Sequence, residues 1–168
     1  MSGAQGSDEV RGLSVGVLLA NEQADDVDTT ELRGIAETVL REEGYPEAAE
    51  VTIVLVSDDE IAEYNTRYMG REGPTDVLSF PIEALSPGVV PDHDPDGPPL
   101  LIGDVLIAPA YVRRAAAEMG VDFEDEMALM AAHGILHLLG YDHEDDEDAL
   151  LMEERERHLL AKVGRKRR

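Results

Sequence analysis

The stretch MALMAAHGILHLLGYDH, residues 127–143, decides how this chain folds and where its chemistry lies. Residues 127–139 are almost entirely apolar and follow an acidic segment, a pattern that predicts a helix. His133 and His137 stand four residues apart, so their imidazoles project from one face of that helix, one turn apart. Gly140 lies where a left-handed residue ends a helix, so the chain can turn back and bring His143 beside the other two histidines.

This arrangement predicts a metal site on a helix and its following turn. A single histidine on a partly apolar helix is more often a hydrogen-bonded structural residue than a ligand. Here three of the five histidines fall within eleven positions, and three protein ligands with a fourth position open to water are typical of catalytic zinc. We therefore predict one Zn²⁺ per chain on His133, His137 and His143, with Ni, Cu or Co as alternatives.

The segments around this helix predict an α+β fold. Short apolar or β-branched runs predict strands at residues 13–19, 51–56, 76–80 and 100–107. Two capping boxes, Asp28 with Glu31 and Ser57 with Glu60, each predict the start of a helix. Three more helices are predicted at residues 109–119, 122–139 and 147–163. We expect a small mixed sheet of about four strands covered by about five helices.

Two details of the strands can be tested against the structure. Residues 51–56 carry no charge, which predicts a strand buried on both faces. Asp104 interrupts an apolar strand, so we expect a buried carboxylate that either bonds a backbone amide or supports the metal site.

The sequence predicts one domain with two tails. Residues 1–12 are polar and glycine-rich and predict a disordered tail, residues 13–163 form a single catalytic domain, and residues 164–168 form a basic tail that we also expect to be disordered. Residues 84–99 contain five of the nine prolines and predict a long surface loop. His93 in this loop and His158 near the end are predicted to be solvated.

Composition excludes several classes of protein. The net charge of −23 argues against a conventional nucleic-acid binder with a broad basic face. The absence of cysteine excludes disulfides, thiolate metal sites and cysteine nucleophiles, and it is compatible with a reducing cytoplasm. No uninterrupted apolar run approaches the roughly 20 residues of a membrane-spanning helix. We expect a cytoplasmic protein with no membrane partner.

Three segments of the chain resemble the YbeY family of bacterial endoribonucleases and rRNA maturation factors. They are HGILHLLGYDH at 133–143, GPTDVLSFP at 73–81 and LIGDV at 101–105, and they occur in the family's order. The resemblance implies a single-strand-specific, zinc-dependent endoribonuclease that acts in 16S rRNA 3′-end maturation and ribosome quality control. Its implied partners are rRNA and the small ribosomal subunit, with a ribosomal protein or an assembly GTPase as further candidates.

The resemblance also bears on how RNA is held. Many relatives carry an arginine that is thought to hold RNA phosphate, at the position that Met69 occupies here. Arg67 and Arg71 are the candidate substitutes, and Thr75 and Ser79 are candidate contacts for phosphate oxygens, although ordinary cap or strand roles are their simpler interpretation. The acidic body implies that binding to RNA is weak and depends on few arginines.

Catalytic roles fall on His133, His137 and Asp142. Asp142 can orient His143 or accept a proton, and an ordinary turn carboxylate is an equally good interpretation. One alternative function is a non-catalytic ribosome-assembly adaptor stabilised by its metal. A weaker one is a zinc peptidase, but Gly134 stands where the H-E-x-x-H pattern needs its glutamate base.

Overall fold

The computed structural model of the protein describes residues 16–168. Along them run β1 (Gly16–Asn21), α1 (Thr29–Glu42), β2 (Ala49–Leu55), α2 (Asp58–Met69), β3 (Val77–Pro81), β4 (Leu100–Ile107), α3 (Pro109–Met119), α4 (Phe123–Leu138) and α5 (Asp146–Lys162). Within this part of the chain, the predicted α+β fold with four strands and five helices is confirmed. The tail predicted at 1–12 and the first residues of the strand predicted at 13–19 lie outside the described residues.

The strands form one mixed sheet in the order β1-β2-β4-β3. β1, β2 and β4 are parallel, and β3 runs antiparallel to β4 at the edge. The large core, in which α1 and α4 pack on the sheet and α5 packs on these two helices, includes Ile53 and Val105. A smaller cluster with Val56 and Leu106 includes Ile61 of α2. The helix that carries the histidines therefore belongs to the larger core.

β2 is covered more completely on one face than on the other. Along Ala49–Leu55, every odd-numbered position is buried and every even-numbered position is only half-buried. The prediction that residues 51–56 are buried on both faces is therefore wrong. The larger core covers one face, whereas the smaller cluster covers the other face only partly, at Val54 and Val56.

Asp104 is exposed, so the expectation of a buried carboxylate is also wrong. Its neighbour Val105 points into the larger core, and successive side chains of a strand point to opposite faces. Asp104 thus lies on the sparsely covered face, where it lines an open cleft with Glu22 and Tyr68. An apolar strand accepts this charge because that face is open to water.

α1 and α2 begin at the two predicted capping boxes, each through the side chain of its N-cap residue. Asp28 accepts a hydrogen bond from the backbone N–H of Glu31 at 3.0 Å, and Ser57 accepts one from the N–H of Glu60 at 3.2 Å. Each bond satisfies a backbone donor that the first helical turn leaves without a partner. Both predictions of where a helix begins are confirmed.

α4 approaches the sheet closely at Gly134. A Cβ atom built there would lie 2.5 Å from Cγ1 of Val105 on β4 and 3.3 Å from Cγ2 of Val77 on β3. The Ser79 hydroxyl donates to the Gly134 carbonyl at 2.8 Å and joins β3 to the helix. The contact places the histidine face of α4 beside the edge of the sheet. Although α4 is strongly apolar, no helix within residues 16–168 is long and apolar enough to span a bilayer.

Residues 164–168 dock onto the helices, in contrast to the disordered tail expected from the sequence. Arg165 pairs with Glu31 at 2.5 Å, Arg167 with Glu156 at 2.9 Å, and Arg168 with Glu126 at 3.1 Å. Glu126 and Glu156 are buried carboxylates, and a buried charge is costly unless it has a partner of opposite sign. The arginines supply that partner, which explains why a basic segment lies against the body.

Candidate metal centre and its cleft

Three histidine side chains meet where α4 ends and the chain turns. One ligand nitrogen each of His133, His137 and His143 lies within 4.8 Å of the other two. The ring centroids of His133 and His137 are 4.5 Å apart, and that of His143 lies 5.0 Å from His137 and 5.7 Å from His133. The three imidazoles predicted to converge are thus placed to hold one metal ion.

Hydrogen bonds fix the orientation of two of the rings. Nδ1 of His133 lies 2.7 Å from a carboxylate oxygen of Glu156, and Nδ1 of His137 lies 2.9 Å from the carbonyl oxygen of Tyr141. Both partners are acceptors, so each Nδ1 carries the proton and each Nε2 keeps its lone pair for a ligand bond. Metal-binding histidines are commonly held in this way.

The turn after α4 brings the third histidine into place. Gly140 has φ +102°, a conformation that favours glycine, and a Cβ atom there would lie 2.2 Å from the carbonyl oxygen of Leu85. The Tyr141 hydroxyl donates to Glu43, which also pairs with Arg155 of α5. These contacts anchor the turn that supplies the carbonyl for His137 and then His143 itself.

Burial favours the neutral forms of two groups at the site. Removal from water lowers the pKa of His137, and the neighbouring His133 and His143 lower it further, against the Tyr141 carbonyl and Asp142, which raise it. Burial also raises the pKa of the Tyr141 hydroxyl to about 12, reinforced by its bond to Glu43. A neutral His137 is the protonation state that a metal ligand requires.

The histidines open into a cleft of about 510 Å³. The rest of its lining comes from the end of α2, the loop before β3, β3 itself and the start of the following loop, and it includes Met69, Arg71, Thr75, Asp76, Ser79, Pro81, Glu83 and Leu85. Among the described residues, Arg71 is the one Lys or Arg side chain in this lining. The cleft therefore joins three imidazoles, one guanidinium and a few carboxylates.

Of the two arginines proposed to bind RNA phosphate, only one lines the cleft. Arg71 lines the cleft beside Met69, whereas Arg67 is absent from the lining and its guanidinium lies 6.0 Å from the centre of the Tyr68 ring. Thr75 and Ser79 do line the cleft, but their hydroxyls donate to Asp76 and to the Gly134 carbonyl. These bonds give both hydroxyls a structural role, and their contact with RNA remains a prediction.

Asp142 lies in the cleft next to the histidines and is half-buried. One carboxylate oxygen accepts a hydrogen bond from the backbone N–H of His143 at 2.7 Å. That bond supports the turn rather than the imidazole of His143. The second oxygen leaves a catalytic role chemically possible, and that role stays a prediction.

Sequence reasoning missed Glu156, which touches a predicted ligand directly. Its position offered a signal, because Met152, Leu159 and Leu160 flank it at helical spacing on the buried face of α5. A carboxylate in an apolar stripe must have a partner. Burial raises the pKa of Glu156, but the hydrogen bonds from His133 and Arg167 outweigh it, so the pKa lies below its ordinary value.

Comparison with known proteins identifies the family. Residues 18–164 match the family model described as "Endoribonuclease YbeY". The chain belongs to the YbeY family. A relative from Acidothermus cellulolyticus named "Endoribonuclease YbeY" is 39% identical over 162 residues, covering 90% of this chain and 99% of its own length. A second relative of the same name, from Salinispora tropica, is 40% identical over 149 residues, covering 85% of this chain and 92% of its own.

A solved structure supports the same fold. The solution structure of a Thermotoga maritima protein superposes with a TM-score of 0.58 at 29% sequence identity, covering 88% of each chain. Family membership makes this protein an endoribonuclease, and therefore a hydrolase. The resemblance inferred from the three sequence segments is confirmed.

Proposed function

We propose that this protein is a zinc-dependent endoribonuclease that cuts single-stranded rRNA during 16S 3′-end maturation and serves ribosome quality control in the cytoplasm. The observation that carries the proposal is the convergence of His133, His137 and His143 at the mouth of a cleft. Two of these rings are held through Nδ1, so Nε2 faces no competing bond to a described residue. Family membership supports RNA cleavage as the class of reaction, and the three imidazoles offer a site for the metal ion that we propose takes part in it.

The donor set fits zinc. Three neutral imidazoles suit Zn²⁺ and suit the hard cations Mg²⁺ and Ca²⁺ poorly. When bound, a zinc ion supplies a Lewis acid that polarises a phosphoryl oxygen and stabilises the charge that develops there. His133, His137 and His143 would hold the ion, and Glu156 and the Tyr141 carbonyl would keep the first two rings in the binding tautomer.

The other residues of the cleft act on the RNA itself. Arg71 would bind a phosphate next to the cut, taking the role that the family's arginine has at the position of Met69. Asp142, with one carboxylate oxygen not used by the turn, would accept the proton of the attacking oxygen.

The acidic surface bears on how RNA reaches the cleft. A chain with a net charge of −23 repels free RNA, and the acidic residues 144–148 lie beside His143. We propose that the substrate is rRNA within the small ribosomal subunit, where a basic ribosomal protein would offset this repulsion. An assembly GTPase remains a further candidate partner.

Cleavage by metal-depleted and zinc-restored protein tests the proposal. A single-stranded RNA that spans the 16S precursor 3′ end and the same sequence annealed to its complement are incubated with each sample. We expect cleavage of the single strand alone, lost on chelation and restored by Zn²⁺. Equal cleavage before and after chelation would identify a contaminating nuclease. Binding to small subunits without any cleavage would favour the adaptor alternative.

Replacing Arg71 with alanine is expected to raise KM for single-stranded RNA about tenfold, since a hydrogen bond to a charged group contributes about 1.5 kcal/mol. The slope of log affinity against log salt should become shallower by about 0.7, as for one lost phosphate contact on a single strand. Arg41→Ala, which removes an exposed arginine of α1 paired with Glu37, is the control for charge alone. A larger effect from Arg67→Ala than from Arg71→Ala would reverse this assignment.

A further inference from the structure

Glu156 is the most deeply buried acidic side chain at the site, with 1% of its surface exposed. Both of its oxygens are used. Oε2 accepts from Nδ1 of His133 at 2.7 Å, and Oε1 accepts from Nε of Arg167 at 2.9 Å. A carboxylate can rotate about its terminal bond, so a bond to one oxygen alone leaves the plane of the group free to tilt. The second bond fixes that plane.

The Arg167 side chain is largely buried and contacts two glutamates, so it can hold the Glu156 carboxylate in one orientation. Its side chain is only 15% exposed, and the guanidinium reaches Glu156 through Nε while a terminal nitrogen lies 3.8 Å from Glu153. Glu153 and Glu156 lie one turn apart on α5, so one guanidinium spans both. The three groups Arg167, Glu156 and His133 form a continuous chain of hydrogen bonds that ends on a ligand of the metal centre.

We infer that Arg167 is a positioning residue for the metal centre, acting through Glu156 on the orientation of the His133 imidazole. The inference rests on the proposed metal site, and it assigns part of that site to residues 164–168, outside α4 and the turn that carry the three histidines. Outer partners of metal-binding histidines commonly change metal affinity by about 10- to 100-fold when they are removed.

The neighbouring arginines do not share this role. Arg165 pairs with Glu31 of α1 and with Asp125 near the start of α4, and Arg168 pairs with Glu126. None of these carboxylates contacts a histidine of the centre within the described residues. Arg165 therefore provides a matched control, because its replacement removes a docked arginine of the same segment without touching Glu156.

The test measures Zn²⁺ affinity of the full chain by competition with a chelating dye, in the absence of RNA. We expect Arg167→Ala to lower the affinity about tenfold, at the low end of the range for outer partners, and Arg165→Ala to change it less than twofold. Arg167→Lys keeps the charge and should recover part of the loss. The visible spectrum of the Co²⁺-substituted protein should change for Arg167→Ala and not for Arg165→Ala.

A double-mutant cycle separates positioning from general docking. In the Glu156→Gln background, Arg167→Ala should have no further effect on Zn²⁺ affinity, because the residue through which it acts is already altered. Equal losses for Arg167→Ala and Arg165→Ala, or a full loss for Arg167→Ala in that background, would overturn the inference. If the unaltered chain bound no Zn²⁺, the proposed function would fail as well. Tight binding by the unaltered chain with no loss for Arg167→Ala would reject the positioning role alone.

Discussion

Replacing His133 with alanine is expected to lower kcat/KM for single-stranded rRNA about 1,000-fold. The substitution removes one of three converging imidazoles and leaves the buried Glu156 without its histidine partner. A bound metal ion contributes several kcal/mol to stabilising the transition state, and about 4 kcal/mol corresponds to a factor of about 1,000 in rate. Single-turnover cleavage of an end-labelled RNA, at several Zn²⁺ concentrations, measures the loss.

His158→Ala is the matched control for this experiment. His158 lies on α5, two residues from Glu156, but its ring contacts Glu42 and its side chain is 47% exposed. The sequence predicts that it is only solvated, and the structure places it outside the cleft lining. Its replacement should leave cleavage within twofold. Comparable losses for both histidines would contradict a specific role for the three converging imidazoles.

Replacing Gly140 with alanine is expected to destabilise the fold by about 3 kcal/mol, lowering Tm by roughly 6–12 °C. Two penalties combine there. The backbone has φ +102°, and the new Cβ would lie 2.2 Å from the Leu85 carbonyl oxygen, a backbone atom that cannot rotate away. Relief requires the turn or the loop at 82–99 to move, and movement of the turn displaces His143. The substitution should therefore lower both the Tm of thermal unfolding and the affinity for Zn²⁺.

Gly120→Ala isolates the backbone penalty from the steric one. Gly120 ends α3 with φ +69°, and a Cβ atom there would meet nothing within 4 Å. We expect a loss of about 1 kcal/mol and unchanged Zn²⁺ affinity. If the two substitutions lowered the free energy of unfolding equally, the close contact with Leu85 would add nothing to the backbone penalty.

Local patterns in the sequence predicted the elements of the fold and the three histidines that the structure brings together. The capping boxes at Asp28 and Ser57 placed two helix starts correctly, because cap and donor lie within three residues. The convergence of His133, His137 and His143 follows from one helical turn and one glycine-ended turn. These features span ten residues or fewer, so local sequence patterns are enough to predict them.

Interactions between distant segments could not be predicted in the same way. Glu156 lies 23 residues from His133, and Arg167 belongs to a segment whose composition alone is typical of a solvated tail. The exposure of Asp104 depends on how little of the second face of the sheet is covered. These contacts and this exposure depend on how the helices pack on the sheet and on one another, which local sequence patterns do not specify.

The position of β3 has a consequence for self-association. Within residues 16–168, no strand pairs with its outer edge, so its unused backbone groups can pair with a strand of another chain. The strand is only five residues long, and it ends in Pro81, which has no N–H to donate. A short edge strand that ends in proline disfavours such pairing, so this wall of the cleft is poorly suited to extend into an intermolecular sheet.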